Sequence, residues 1–188
     1  PLMLFTIFYA KDCLIFLSGN EFIGATLAMQ IIAPTILLIG LSNLLGIQVL
    51  TPLNKEKQLV YSVVAGALVD LILNIIFIPK MGAAGASLGT LVAEFVVLTV
   101  QILYLKDLFF RIAKQVQYGK IVLALILASM ISIRCSSMVS VIFFKLAIAG
   151  ITFFGSYGIV LLLTKENFVN SYIFEEILKN KFWKKKGK

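Results

Sequence analysis

Residues 59–105 read LVYSVVAGALVDLILNIIFIPKMGAAGASLGTLVAEFVVLTVQILYL. The stretch has three charged residues, Asp70, Lys80 and Glu94. On either side of Pro79 and Gly82 it supplies about 20 mostly apolar residues, the length of a membrane-spanning helix. Proline and glycine favour a turn between two helices. The stretch therefore predicts two membrane spans joined by a short turn.

The composition of the whole chain also indicates an integral membrane protein. Of 188 residues, 60% are hydrophobic and 14% are charged, and the mean hydropathy is +1.01. A soluble domain has about 25% charged residues, so this chain lacks the polar residues to cover a soluble surface. It has no histidine, the commonest general base, and Cys13 and Cys135 form no CxxC pair. These features argue against a zinc or redox site.

The apolar runs predict an all-α, polytopic bundle with about six transmembrane helices. The predicted spans are residues 1–17, 24–50, 59–79, 83–105, 120–138 and 141–163. They make residues 1–164 a transmembrane bundle, which a basic amphipathic tail follows at 165–188. Pro34 is expected to kink the second span. Residues 106–118 are compatible with a helix that lies flat at the membrane interface.

The basic residues predict the orientation, because lysine and arginine collect in cytoplasmic loops. When loops are assigned alternately to the two sides, 13 of the 17 basic residues share a side with the C-terminus. The C-terminus is therefore predicted to be cytoplasmic. The tail, 165–188, combines helically spaced apolar residues with Lys184, Lys185 and Lys186, which predicts an interfacial helix bound to anionic lipid. The alternative is a positive-inside anchor with no other role.

Two carboxylates lie near the middle of their predicted spans. An ionisable group at that depth costs about 2.5–3.5 kcal/mol and usually faces protein or water. Counted from the turn at 1.5 Å per residue, Asp70 and Glu94 lie at depths that differ by less than one helical turn. Two neighbouring carboxylates at low dielectric resist being charged together. We therefore predict that the pair binds H⁺ or Na⁺ for ion coupling, and we expect no other cofactor.

Three consecutive helices each carry a polar face at helical spacing. Such faces predict side chains that line a water-filled cavity and contact a polar substrate. The alternative is hydrogen bonding between helices that only holds the bundle together. The cavity candidates are Gln30, Gln48, Asn74, Ser87, Thr90 and Gln101.

Three basic residues lie in predicted outer halves or outer ends of spans: Lys11, Arg134 and Lys145. Each is a candidate to bind an anionic headgroup. Each can equally extend its side chain to the outer interface.

Small residues follow the predicted turn. Gly82, Gly85 and Gly89 allow helices to approach closely, and the last two have the Gly-x-x-x-Gly spacing of close helix packing. No Gly-Lys-Ser/Thr follows, so a phosphate-binding loop is not indicated.

The order of these motifs resembles the C-terminal half of bacterial polysaccharide (O-antigen or capsule) flippases. These proteins belong to the multidrug/oligosaccharidyl-lipid/polysaccharide (MOP) exporter superfamily. A Gly-x-Gln helix end leads to a short basic loop, and a helix with Asn-x-x-x-Asn then runs into Ile-Pro-x-x-Gly-x-x-Gly-Ala and a helix that bears a Glu. The resemblance covers about residues 1–105, and Asp70 stands where the family often has Asn. The stretches that carry it are 46–57 and 66–87, with Glu94 and Gln101.

The resemblance implies half of a MATE-like transporter, with a related N-terminal bundle outside this chain and a V-shaped cavity between the two. Alternating access would move an undecaprenyl pyrophosphate-linked oligosaccharide across the bacterial plasma (inner) membrane. That activity changes no covalent bond, so we expect a multi-pass carrier that is not an enzyme and binds no nucleic acid. Gln30, Gln48, Asn74 and Gln101 would bind sugar hydroxyls, and a basic residue would bind the pyrophosphate.

Other functions remain open at this point. An ion-coupled exporter of drugs or small amphiphiles in the same superfamily fits Asp70 and Glu94 equally well. A membrane-embedded polysaccharide polymerase or acyltransferase would need a catalytic base in an outer loop, and the predicted outer loops are short. A purely structural subunit leaves the cost of the two carboxylates unexplained.

Overall fold

A computed structural model describes residues 1–164, and every regular element in this part of the chain is helical. The chain divides into two compact units, one of residues 2–115 and one that begins at Val116 and includes Pro1. The interfacial tail predicted at 165–188 lies outside the described residues.

The first unit contains six α-helices and two segments of other helical type. Its α-helices are α1 (Leu2–Ser18), α2 (Thr26–Ile32), α3 (Thr35–Asn43), α4 (Glu56–Met81), α5 (Ala83–Tyr104) and α6 (Lys106–Ala113). A 3₁₀ segment (Asn20–Ala25) precedes α2, and a π-helical segment (Leu44–Leu50) follows α3. The second unit contains α7 (Tyr118–Ser136) and α8 (Ile142–Leu163).

The lengths of the helices are those of a multi-pass membrane protein. Within residues 1–164, α4, α5, α7 and α8 are each long and apolar enough to cross a membrane. A fifth span is present if two helical segments that are bent by 41° relative to each other cross the membrane as one unit. These segments are Asn20–Ile32 and Thr35–Leu50. The predicted number, about six, is larger because the prediction counts residues 1–17 as a span. Helix α1 has 17 residues, which is at the lower limit for a span. The all-α membrane bundle is thus confirmed.

The bend in the second span lies at Pro34, as predicted. Proline has no N–H and its ring clashes with the carbonyl four residues earlier, so α2 ends at Ile32 and α3 begins at Thr35. A second proline behaves differently. Pro79 lies inside α4, which continues to Met81, two residues beyond the end of the predicted span 59–79.

The turn between α4 and α5 is the single residue Gly82. Its φ of 54° lies in the left-handed region that glycine adopts without a steric penalty. Its N–H donates to the carbonyl of Ile78 at 2.8 Å, which closes the last turn of α4. The prediction that Gly82 lets helices approach closely is wrong, because a Cβ there would meet nothing within 4 Å. Its role is the backbone turn.

Three other glycines bring α4 and α5 into close contact. A Cβ on Gly85 would collide with the backbone carbonyl of Phe77, and one on Gly66 would collide with the side chain of Val97. A Cβ on Gly89 would lie 2.6 Å from the Oδ1 atom of Asn74. The packing role predicted for Gly85 and Gly89 is therefore confirmed, and it brings the two backbones together along most of the hairpin.

An apolar cluster fixes the far end of this hairpin, away from Gly82. Leu45 and Leu50 of the π-helical segment pack with Leu98 of α5 and with Leu105. Phe109 of α6 packs against the same cluster. The cluster therefore attaches the short helix α6 to the end of α5.

In the second unit, α7 and α8 form another hairpin with small residues at its contact. Ser132 of α7 donates a hydrogen bond from Oγ to the carbonyl of Ala149 at 3.0 Å, and both residues are fully buried. Phe153 of α8 is also fully buried. The buried residues of α7 recur at every fourth position, and they are Ala124, Ala128, Ser132 and Ser136.

The glycine contacts predict a position-dependent effect on stability. Gly85→Ala is expected to lower the free energy of unfolding by about 1–3 kcal/mol, because its methyl group meets the Phe77 carbonyl, which cannot move without the helix. Gly40→Ala is the matched control, since a Cβ there meets nothing within 4 Å, and it should stay within about 1 kcal/mol of the parent. The measurement is reversible unfolding of the purified chain in detergent. Equal loss in both variants would contradict the close contact.

Candidate functional site

The polar cluster in the middle of the α4–α5 hairpin starts with two residues of α4. Asp70 and Asn74 lie one turn apart, and the Asn74 side-chain amide donates from Nδ2 to Asp70 Oδ2 at 3.0 Å. The Oδ1 atom of each side chain is buried and has no hydrogen-bond partner among residues 1–164. Two acceptor atoms are thus removed from solvent without a donor.

Gly89 of α5 makes room for these two oxygens. The position that its Cβ would occupy lies 2.6 Å from Asn74 Oδ1 and 3.4 Å from Asp70 Oδ1. Both atoms therefore face the bare backbone of α5 at one point. A larger residue at position 89 would displace the Asn74 amide, so the cluster depends on this glycine.

Glu94 adds a second carboxylate from α5. It is partly buried, and its charge interacts with that of Asp70 across the hairpin. The cluster thus combines two carboxylates with one amide, and it offers oxygen ligands only. Such a group can hold a proton between its oxygens or bind a hard cation, for which carboxylate and carbonyl oxygens are the preferred ligands.

The same contact continues toward the apolar cluster through Gln101 and Ser62. Gln101 is 1% exposed and donates from Nε2 to Ser62 Oγ at 3.2 Å, while Ser62 donates to the carbonyl of Leu59 at 2.6 Å. Gly46 also lies close, because its Cβ would be 3.2 Å from the same Nε2. Gln101 therefore bonds between helices, which is the alternative that the sequence left open beside the cavity role.

The remaining cavity candidates lie in different surroundings. Gln30 is partly buried and donates from Nε2 to the carbonyl of Ile7 at 3.1 Å, beside the non-helical backbone of Tyr9 in α1. Gln48 is exposed on the π-helical segment. On α5, Ser87 is buried and Thr90 is partly buried. The structure brings only Asn74 into direct contact with a carboxylate of the predicted ion site.

The three basic candidates divide between the units. Lys11 is exposed on α1 of the first unit. Arg134 is exposed in the last turn of α7, and Lys145 is partly buried in α8. The Asp70–Asn74–Glu94 cluster lies wholly within the first unit.

One residue of this contact escaped the sequence analysis, and the role of another was predicted only in part. Ser62 supplies the partner of Gln101, and Gly89, predicted as a packing residue, also supplies the surface that faces Asp70 and Asn74. Ser62 stands on the same four-residue repeat as Gly66, Asp70 and Asn74, so extending that stripe by one turn finds it. The role of Gly89 depends on which face of α5 meets α4, and helical spacing alone does not give that.

An apolar cavity of about 380 Å³ lies in the same unit, beside the bend at Pro34. Its walls carry no polar side chain, so its chemistry suits a hydrocarbon chain and not a sugar. The lining residues are Met3, Pro34, Leu37, Leu38, Leu91, Val92 and Phe95.

Comparison with protein-family models, with curated proteins and with solved structures found no match for this chain. A functional proposal therefore rests on the geometry of the α4–α5 contact and on the motifs of the sequence.

The burial of Gln101 predicts a sharp difference between two substitutions. Gln101→Leu should lower the free energy of unfolding by about 1 kcal/mol, the size of one hydrogen bond between membrane helices. Gln101→Glu should lower it by about 3 kcal/mol or more, because it places an unpaired charge between the helices. Unfolding in detergent at neutral pH measures both.

Gln48→Glu is the matched control for this pair, because Gln48 is exposed. It should unfold like the parent chain. If Gln101→Glu were tolerated as well as Gln48→Glu, Gln101 would face water and not Ser62.

Proposed function

We propose that this chain forms part of a carrier that flips lipid-linked oligosaccharide across the bacterial plasma membrane, with Asp70, Asn74 and Glu94 as its ion-coupling site. The observation that carries the proposal is the pair of buried, unpartnered oxygens on Asp70 and Asn74 beside a second carboxylate. The resemblance of residues 1–105 to polysaccharide flippases supports the choice of substrate.

The cost of the cluster is the first step of the argument. A buried acceptor without a donor costs about 1–3 kcal/mol, and more when the group is charged. The Oε1 atom of Gln101 is also buried without a donor, so an unpaired oxygen alone does not set the cluster apart. The cluster differs in that one of its unpaired oxygens belongs to a carboxylate, whose charge a bound cation would neutralise.

A cation meets this requirement. A proton on Asp70 Oδ1 turns an acceptor into a donor that can point at Asn74 Oδ1, and Na⁺ is attracted to the same oxygens and to Glu94. Either cation also removes the repulsion between the two carboxylates. The free energy of the α4–α5 contact then depends on cation occupancy.

Coupling to transport follows if the cation prefers one of two conformations. A ligand shifts an equilibrium between inward-open and outward-open states only by its difference in affinity for them. Cation release toward one side of the membrane would then favour the conformation that accepts the lipid-linked sugar. The carrier forms and breaks no covalent bond, and its polar groups replace the water around the sugar headgroup.

An ion-coupled exporter of small amphiphiles is the second candidate. The same cluster suits it, and the apolar cavity beside Pro34 favours an apolar or amphiphilic substrate. The basic loop motif of residues 46–57 and the basic tail favour the flippase.

Substitution of the carboxylates tests the coupling. In vesicles that contain the full-length protein, Asp70→Asn and Glu94→Gln should each lower the response of transport to a H⁺ or Na⁺ gradient about fivefold or more, within the usual range of coupling free energies. Glu56→Gln is the matched control, because Glu56 is exposed at the start of the same helix as Asp70. Unchanged coupling in both variants would exclude the cluster as the ion site.

Deletion of the gene tests the substrate. Cells without the protein should accumulate lipid-linked oligosaccharide on the cytoplasmic face of the membrane, which an enzyme added to inside-out vesicles would detect. Restoration by the parent gene is the control. A deletion strain that is more sensitive to drugs and accumulates no lipid-linked sugar would support the exporter and overturn the flippase.

A further inference from the structure

The short helix α6 separates its polar and apolar residues onto two sides. At 100° per residue, Lys106, Phe110 and Lys114 fall within an arc of about 80°, and Arg111 lies a further 60° or so round the helix. Leu105 and the other apolar residues, Leu108, Phe109 and Ile112, lie on the opposite side. Such a division is typical of a helix that lies at a boundary between two media.

The apolar side of α6 is fixed to the end of α5. Leu105 is 5% exposed within the apolar cluster, and Phe109 packs against that cluster. The N–H of Phe109 donates to the carbonyl of Leu105 at 2.8 Å. The position of α6 therefore follows from that of α5.

The length of α5 sets the depth of α6 in a membrane. Its 22 residues, Ala83–Tyr104, span about 33 Å at 1.5 Å per residue. The hydrocarbon core is about 30 Å thick, so a span that fills it ends near Tyr104. Tyr104 is 46% exposed, and tyrosine is enriched at the interface. Helix α6 begins two residues after Tyr104, so we expect it at the level of the lipid headgroups.

The open side of α6 forms a shallow basic cavity of about 590 Å³. Three cationic side chains and one carboxylate surround a phenyl ring that is 57% exposed. A cavity for a free anion needs no exposed phenyl ring, whereas a phospholipid brings a phosphate and acyl chains together. The lining residues are Lys106, Asp107, Phe110, Arg111 and Lys114.

We propose that α6 lies in the membrane interface and binds an anionic phospholipid, whose phosphate contacts Lys106, Arg111 and Lys114. Phe110 packs against the upper part of the acyl chains. Arginine holds phosphate through two parallel hydrogen bonds, and lysine contributes a point charge. The site is independent of the ion cluster and of the proposed transport function.

The first experiment measures lipid preference. The purified full chain in neutral detergent is titrated with short-chain phosphatidylglycerol or phosphatidylcholine, and native mass spectrometry counts the retained lipids. The parent chain should prefer phosphatidylglycerol. The variant K106Q/R111Q/K114Q should bind it at least tenfold more weakly, because each basic residue near an anionic surface contributes about fivefold in affinity.

The matched control removes as many charges elsewhere. K55Q/K57Q/K80Q leaves α6 untouched and should keep the preference for phosphatidylglycerol. Equal loss in the two triple variants would show that net charge alone attracts the lipid and would overturn the site. If K106Q/R111Q/K114Q kept the preference for phosphatidylglycerol, the lipid would bind to other residues and the site on α6 would be overturned. If inorganic phosphate competed as strongly as phosphatidylglycerol, the ligand of the site would be a soluble anion and not a lipid.

The second experiment measures depth. Trp183 is the chain's only tryptophan, so Phe110→Trp in a Trp183→Phe background gives one emission signal. In vesicles of phosphatidylcholine and phosphatidylglycerol, quenchers attached near the headgroup should quench it more than quenchers deep in the acyl chains. Ile75→Trp in the same background is the depth reference, because Ile75 is 67% exposed within α4. Quenching of the Phe110→Trp signal by aqueous iodide alone would place α6 in water and overturn the proposal.

Discussion

The close contact of α4 with α5 is the constraint on which the first unit depends. Two helices in lipid gain little from burying apolar side chains, because the acyl chains around them are just as apolar. They associate through close packing of backbones and through polar contacts. Gly66, Gly85 and Gly89 provide the close packing, since a Cβ at each would collide with the facing helix. The polar stripes of the two helices then face each other, because the charge of Asp70 interacts with that of Glu94 and Gln101 donates a hydrogen bond to Ser62.

The polar contacts along this hairpin leave buried oxygens without a donor in two places. At the end near the apolar cluster, Gln101 and Ser62 form a chain of hydrogen bonds that ends on the carbonyl of Leu59, and Gln101 Oε1 has no donor. In the middle, Asp70 and Asn74 share one hydrogen bond and leave one buried oxygen each without a donor. Low dielectric strengthens the hydrogen bonds that are made and raises the cost of those that are missing. The cost is therefore greatest at Asp70, because its unpaired oxygen belongs to a carboxylate, and the proposed cation would relieve that cost.

The sequence predicts the helices well because apolar length and helix breakers are local properties. The bend at Pro34 and the glycine packing of α5 follow from residue type and spacing alone. Helix α4 continues two residues past its predicted end at Pro79, because a proline in the last turn of a helix removes a single hydrogen bond. The site was predicted only in part, and Gln101 shows why. Helical spacing places Gln101 on a polar face, but whether that face meets water or another helix depends on the partner helix.

The depth of Glu94 and the position of α6 constrain each other. Leu105 is fixed in the apolar cluster at the end of α5, and Glu94 precedes it by about 16 Å along the helix at 1.5 Å per residue. If α6 lies among the headgroups, Leu105 is at the edge of a hydrocarbon core about 30 Å thick, and Glu94 is then close to its centre. The carboxylate is thereby held where its charge is most costly and a neutralising cation is most strongly favoured. A helix of fixed rise thus connects a basic surface at the membrane edge to an acidic cluster at its middle.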